Sequence, residues 1–116
     1  MSESPAQPGR LKRRADFLRV ASKGRKAAVH GLVLQALTQP GSGRARIGFT
    51  VTKKVGNAVI RNRTRRRLKE AVRLEMAGHP VSGVDLVVIG RDSTRTRPFL
   101  ELRDDLRRAL RKAAVI

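Results

Sequence analysis

At 116 residues, 40% of them apolar, the chain has material for one compact core and too little for two. Three Phe with no Trp or Tyr make that core aliphatic, and the absence of Cys excludes disulfides and thiolate metal sites. Twenty-seven Lys and Arg against nine Asp and Glu leave a formal charge of +18, which points to a polyanionic partner; nucleic acid fits, whereas a membrane surface would want more large apolar anchors.

Residues 1–9 are polar, carry Pro5 and Pro8, and read as a disordered tail ahead of a single domain over residues 10–116. They lack the apolar run of a secretory signal, and no later stretch approaches the roughly 18 apolar residues of a membrane span. The expected location is therefore the cytoplasm. A short helix is predicted over Arg14 to Lys23, with Phe17, Val20 and Ala21 at helical spacing and Gly24 as its stop. Extended chain follows from about Arg25 to Leu37. Val33 and Leu37 share one face and Leu32, Leu34 and Ala36 the other, the pattern of a strand covered on both sides. Pro40-Gly41-Ser42-Gly43 is a turn. Arg44 to Thr52 alternates, with Ile47, Phe49 and Val51 inward.

After Lys53-Lys54-Val55-Gly56-Asn57 the period becomes helical. Leu68, Ala71, Val72, Glu75 and Met76 fall on one arc, and Arg63, Arg66, Glu70 and Arg73 on the opposite one, until Gly78-His79-Pro80 ends the helix. Val84 to Ile89 is a buried strand. A last helix begins near Pro98 and buries Phe99, Leu102, Leu106, Ala109, Leu110 and Ala113, with acids early and bases late along its dipole. The order is helix, two or three strands, helix, strand, helix: an α+β sandwich with one sheet covered by helices.

The segment from Arg61 to Arg73 concentrates the charge. Arg61, Arg63, Arg65, Arg66, Arg67, Lys69 and Arg73 face a single acid, Glu70, so few of these cations can pair within the helix. A guanidinium takes two phosphate oxygens at once and stays charged when partly desolvated. RNA suits such a stiff row of donors, because the A-form major groove is too narrow to read and proteins grip phosphates, shape and 2′-hydroxyls. Asn62 either contacts a 2′-hydroxyl or base edge, or caps the helix.

Thr52-Lys53-Lys54-Val55-Gly56-Asn57-Ala58-Val59-Ile60-Arg61-Asn62-Arg63, running into Arg65-Arg66-Arg67-Leu68, resembles the signature of the bacterial ribonuclease P protein family. Leu11-Lys12-Arg13, Asp16-Phe17 and Lys23-Gly24 match that family's opening; Leu32-Val33-Leu34, Ile47-Gly48-Phe49 and Asp85-Leu86-Val87-Val88-Ile89 match its strands. The resemblance implies a ribosomal-protein-like α-β-β-β-α-β-α sandwich, with one mixed four-stranded sheet and a left-handed βαβ crossover into the arginine-rich helix. It also implies one RNA-binding domain over residues 10–116, partnered by ribonuclease P RNA and precursor tRNA rather than by a membrane or a small-molecule substrate. The RNA subunit would carry the chemistry of 5′ maturation, with Mg2+ held mainly by RNA. By position, Lys53, Lys54, Arg61, Asn62, Arg63, Arg65, Arg66, Arg67, Lys69 and Arg73 fall on the RNA-binding side. Phe17, Thr50 and Lys53 fall where the family places a cleft for the 5′ leader. Phe17 reads equally as core, and Lys53 and Lys54 as exposed strand-end lysines. Ala21 and Gln35 stand where further cleft aromatics would be expected, which shifts the cleft toward charge.

A self-sufficient metal nuclease needs clustered carboxylates. Asp104 and Asp105 are explained by the helix dipole, Asp85 and Asp92 flank a strand as turn acids do, and His30 and His79 read as surface histidines. No catalytic residue and no protein metal site is predicted. A ribosomal or RNA-chaperone-type protein is the alternative; a DNA-binding regulator would want helix-turn-helix spacing in place of these strands.

Overall fold

The structure is a computed structural model that describes residues 7–39 and 43–116. The elements run β1 (Gly9–Arg10), α1 (Arg14–Lys23), β2 (Arg25–Ala28), β3 (Leu32–Thr38), β4 (Arg46–Thr50), α2 (Ala58–Gly78), β5 (Val84–Gly90), a 3-10 turn (Asp92–Arg95) and α3 (Phe99–Lys112). The sheet order is β1-β4-β5-β3-β2. β4 pairs parallel with both β1 and β5, whereas β3 pairs antiparallel with β5 and β2, so the sheet is mixed. The four predicted strands are thus joined by a fifth. Gly9 donates to Ala45 O at 2.8 Å and Leu11 to Ile47 O at 2.9 Å, which draws the end of the expected tail into the sheet edge. Residues 1–6 of that tail, and Pro40 to Ser42 of the predicted turn, lie outside the described residues.

Apolar periodicity sets the layers. α2 and α3 cover one face, where Leu68, Ala71, Val72 and Met76 meet Leu102, Leu106, Ala109 and Leu110 over Leu32, Leu34, Ala36, Ile47, Leu86 and Val88. α1 covers the other face through a smaller cluster of Leu11, Val20 and Val87, with Phe17, Leu37 and Ile89 packed against it. β5 therefore buries both faces and reads as an uninterrupted apolar run, as an interior strand must. Ala21, expected on the inward side of α1, is exposed. The inward line is instead Phe17, Val20 and Gly24, and a Cβ at Gly24 would lie 2.6 Å from Val20 O and 2.7 Å from Ala36 O. A glycine there lets the helix end dock directly on β3.

Two expectations about acids are corrected. Asp85 is not a solvated turn acid; it is 1% exposed, and accepts from Arg46 Nε at 3.0 Å and Nη2 at 2.7 Å, from Arg19 Nη2 at 3.3 Å and from Gln39 Nε2. Asp105 is not explained by the helix dipole; it is fully buried and gripped by Arg97, with Nε to Oδ2 at 2.8 Å and Nη2 to Oδ1 at 3.1 Å. Both carboxylates bridge elements distant in sequence or order a loop, and each survives burial because a fork of donors replaces its water. No described helix is long and apolar enough to cross a membrane.

Candidate nucleic-acid interface

α2 begins where Asn57 caps it, the side-chain Oδ1 accepting from Ile60 N at 3.0 Å. Asn62 lies inside the helix and is not the cap. Its Oδ1 accepts instead from Arg65 Nη1 at 2.9 Å, which holds that guanidinium along the helix. Just upstream, Val55 is buried and pins the loop to the core, leaving Lys53 and Lys54 exposed at the turn. Gly56 has a φ of +158°, and a Cβ there would meet Ile60 Cγ2 at 2.8 Å, so the tight entry into α2 demands glycine.

The buried stripe of α2 (Thr64, Leu68, Ala71, Val72, Glu75 and Met76) fixes where its cations point. Arg65 and Lys69 lie along one flank, Arg63 and Arg67 along the other, and Asn62, Arg66 and Arg73 on the crest by helical spacing. Arg63, Arg66 and Lys69 have no acid partner among the described residues. Arg61 is half-buried, and its Nε is shielded from solvent with no acceptor there. Two of the expected RNA-facing arginines are occupied by the protein itself. Arg67 is half-buried and donates to the carbonyls of Thr94, at 3.2 Å, and Arg97. Arg73 is forked onto Glu70, with Nη2 to Oε2 at 2.6 Å, and this bond with its charge holds the Glu70 carboxyl below the usual carboxylate range.

The same economy runs through the rest of the molecule. Every acid among the described residues is bound to an arginine: Asp16, Glu70, Glu75, Asp85, Asp92, Glu101, Asp104 and Asp105. Glu75, 2% exposed on α2, receives Arg103 Nε at 2.7 Å and Arg107 Nε at 3.0 Å from α3. Burial pushes its carboxyl up, but the bonds from Arg107 and Arg103 outweigh burial and leave it below the usual range. The carboxylates thus neutralise Arg46, Arg97, Arg103 and Arg107, and none of them pairs with a cation in the first half of α2. Among the described residues no three His, Cys, Asp or Glu side chains come together as a cation site.

Beside α2 runs an open groove of about 420 Å³, walled by Lys12 and Arg14, by Phe17 of α1, by Phe49, Thr50 and Val51, and by Arg65. Phe17 serves both roles that its spacing allowed: it packs against the small core and faces the groove. Its ring fills the space over Gly48, where a Cβ would lie 2.4 Å from it. Thr50 lines this groove, whereas Lys53 does not. Phe49 packs inward against the larger core as expected but is only half-buried, and Lys69 Nζ sits 5.9 Å from its ring centroid. Ala21 is exposed and Gln35 is half-buried in β3, paired with Lys26 and Val87. Sequence reasoning missed Phe49 as a wall and left Lys12 and Arg14 without a role. The basic run Arg10 to Arg14 was the available signal, but only the β1–β4 pairing reveals what it borders.

Comparison with known proteins places the fold. The ribonuclease P family model matches residues 6–114. The chain is 68% identical over 106 residues to the ribonuclease P protein component of Gluconacetobacter diazotrophicus, covering 91% of each. It is 50% identical over 115 residues to that of Paramagnetospirillum magneticum, covering 96% of this chain and 86% of the relative. The RNase P protein of Staphylococcus aureus superposes with a TM-score of 0.79 at 29% identity, over 94% of this chain and 98% of that one. That of Thermotoga maritima does so with 0.76 at 28% identity, over 89% and 96%. Those structures share the mixed α+β architecture of one sheet and three helices described above. The chain belongs to the ribonuclease P protein family.

Proposed function

We propose that this chain is the protein subunit of a ribonuclease P holoenzyme, binding the catalytic RNA and the 5′ leader of precursor tRNA during 5′ maturation. The observation that carries the reading is the set of α2 cations without acid partners (Arg63, Arg66, Lys69 and the half-shielded Arg61) beside a basic groove walled by two Phe. Arginine forks on a helix anchored by its aliphatic stripe take phosphate oxygens with little ordering cost, because the backbone is already fixed. Asn62 aligns Arg65, and Arg65 then reaches the groove.

In the groove, Lys12, Arg14 and Arg65 neutralise the phosphates of a single strand. Phe17 and Phe49 offer ring surface to bases, a contact worth about 1–3 kcal/mol per base. Ala21 and Gln35, where further aromatics were expected, do not line this groove, whose hold on the leader comes from Lys12, Arg14 and Arg65 beside the two rings. The reaction's bond-breaking belongs to the RNA subunit, and Mg2+ held mainly by RNA supplies Lewis-acid chemistry there. The work of this chain is to bind, orient and neutralise. Reconstitution tests the reading: the protein with its host's ribonuclease P RNA should cleave precursor tRNA at magnesium concentrations where the RNA alone is slow. No gain over the RNA alone would refute it.

A further inference from the structure

The flank of α2 that faces away from the leader groove holds a second concavity, of about 180 Å³, between the helix and the 3-10 turn after β5. Ile60, Arg63, Thr64 and Arg67 form its helical wall, and Arg95 and Thr96 form the other. Three guanidiniums converge there and no carboxylate lines it. Asp92 stands outside the lining, bound to Arg95 Nη1 at 3.0 Å with 80% of its own side chain exposed, so it screens Arg95 weakly.

The walls are rigid for reasons local to the sequence. Thr94, fully buried, accepts from Arg91 N at 2.8 Å and donates to Gly31 O at 2.5 Å, while Ser93 donates to His30 O at 2.6 Å. These bonds tie the turn to the β2–β3 connection. Arg67 then spans the gap to the carbonyls of Thr94 and Arg97, which fixes its guanidinium and leaves N–H donors uncommitted by those bonds. Arg63 has no acid partner among the described residues. Like charges gathered on rigid walls are relieved by a tetrahedral oxyanion that accepts from several forks at once.

We propose that this pocket takes a phosphodiester of the RNA partner, making Arg95 and Thr96 a second edge of the interface on the side of α2 opposite the groove. The inference rests on the RNA-binding reading above. α2 is then gripped along both flanks, and the segment after β5, to which the sequence assigns no role, positions RNA.

Two measurements test it. Inorganic phosphate, titrated into the free protein against chloride at matched ionic strength, should saturably shift the amide resonances of Arg95 and Thr96 and the Nε–H resonance of Arg67. Arg95→Gln should abolish the response. Arg95→Gln should also weaken binding to ribonuclease P RNA about tenfold, the scale of one charge-assisted phosphate contact. Arg111→Gln removes an exposed charge from the last turn of α3 and should weaken binding far less. Equal losses in the two variants would overturn the assignment to RNA, even with phosphate shifts present, because the pocket would then take only free anions. If the wild type fails to bind the RNA at all, the functional reading falls, and absent phosphate shifts would sink the pocket with it.

Discussion

Arg65 and Arg67 are two residues apart on one helix, and the structure assigns them different work. Arg67 is half-buried and bridges to the carbonyls of Thr94, at 3.2 Å, and Arg97, whereas Arg65 bonds to the Asn62 amide, at 2.9 Å. Hydrogen bonds from a charged donor contribute about 1.5–3 kcal/mol each. Partial exposure lets water replace some of that, so Arg67→Met should cost about 2 kcal/mol in the free protein. For a domain of this size that is a fall of about 8 °C in Tm. Arg67→Lys keeps the charge but cannot span both carbonyls, and should recover less than half the loss. Arg65→Met should stay within about 0.5 kcal/mol of the wild type. Thermal unfolding followed by circular dichroism reads all three. Equal melting temperatures for the Arg65 and Arg67 variants would refute the structural role of Arg67.

Two further outcomes follow from the packing and the charges. Gly48→Ala places a methyl 2.4 Å from the Phe17 ring and should destabilise by about 1–3 kcal/mol, with Phe17→Leu restoring part of the loss in the double variant; unfolding of all three proteins in urea checks this, and an additive double variant would contradict it. Glu75 is held below its ordinary range by Arg107 and Arg103 despite burial, so it stabilises the fold above the unfolded carboxylate pKa and loses that contribution as pH falls through its lower folded value. The melting-temperature gap between wild type and Glu75→Gln should therefore be widest near neutrality and shrink in acid below pH ~4; a gap independent of pH would contradict the charge-based account.

Much of the fold was legible because its stripes are clean. The α2 arc of Leu68, Ala71, Val72 and Met76, and the continuous run in β5, each dictate one burial pattern. What escaped depends on long-range pairing. Two residues of β1 form a strand only because β4 offers an open edge, and nothing local in Gly9–Arg10 announces it. Asp85 and Asp105 look like surface acids by position, and only Arg46, Arg19 and Arg97 arriving from elsewhere make their burial tolerable. The site was legible as a density of arginines, not as an assignment of them. Which guanidiniums remain for a partner is decided by where the acids and open carbonyls lie. Those positions remove Arg67 and Arg73 from the unengaged set, while the β1–β4 pairing sets Lys12 and Arg14 beside Phe49 at the groove.

The salt dependence of binding to ribonuclease P RNA measures the grip of α2 most directly. With Arg61, Arg63, Arg65 and Arg66 intact, the logarithm of affinity should fall steeply with the logarithm of salt concentration. Changing all four to Gln should flatten that slope by about 3, at roughly 0.7–0.9 for each phosphate that is no longer neutralised. An unchanged slope in the variant, with its fold preserved, would mean that RNA is held somewhere other than the arginine helix.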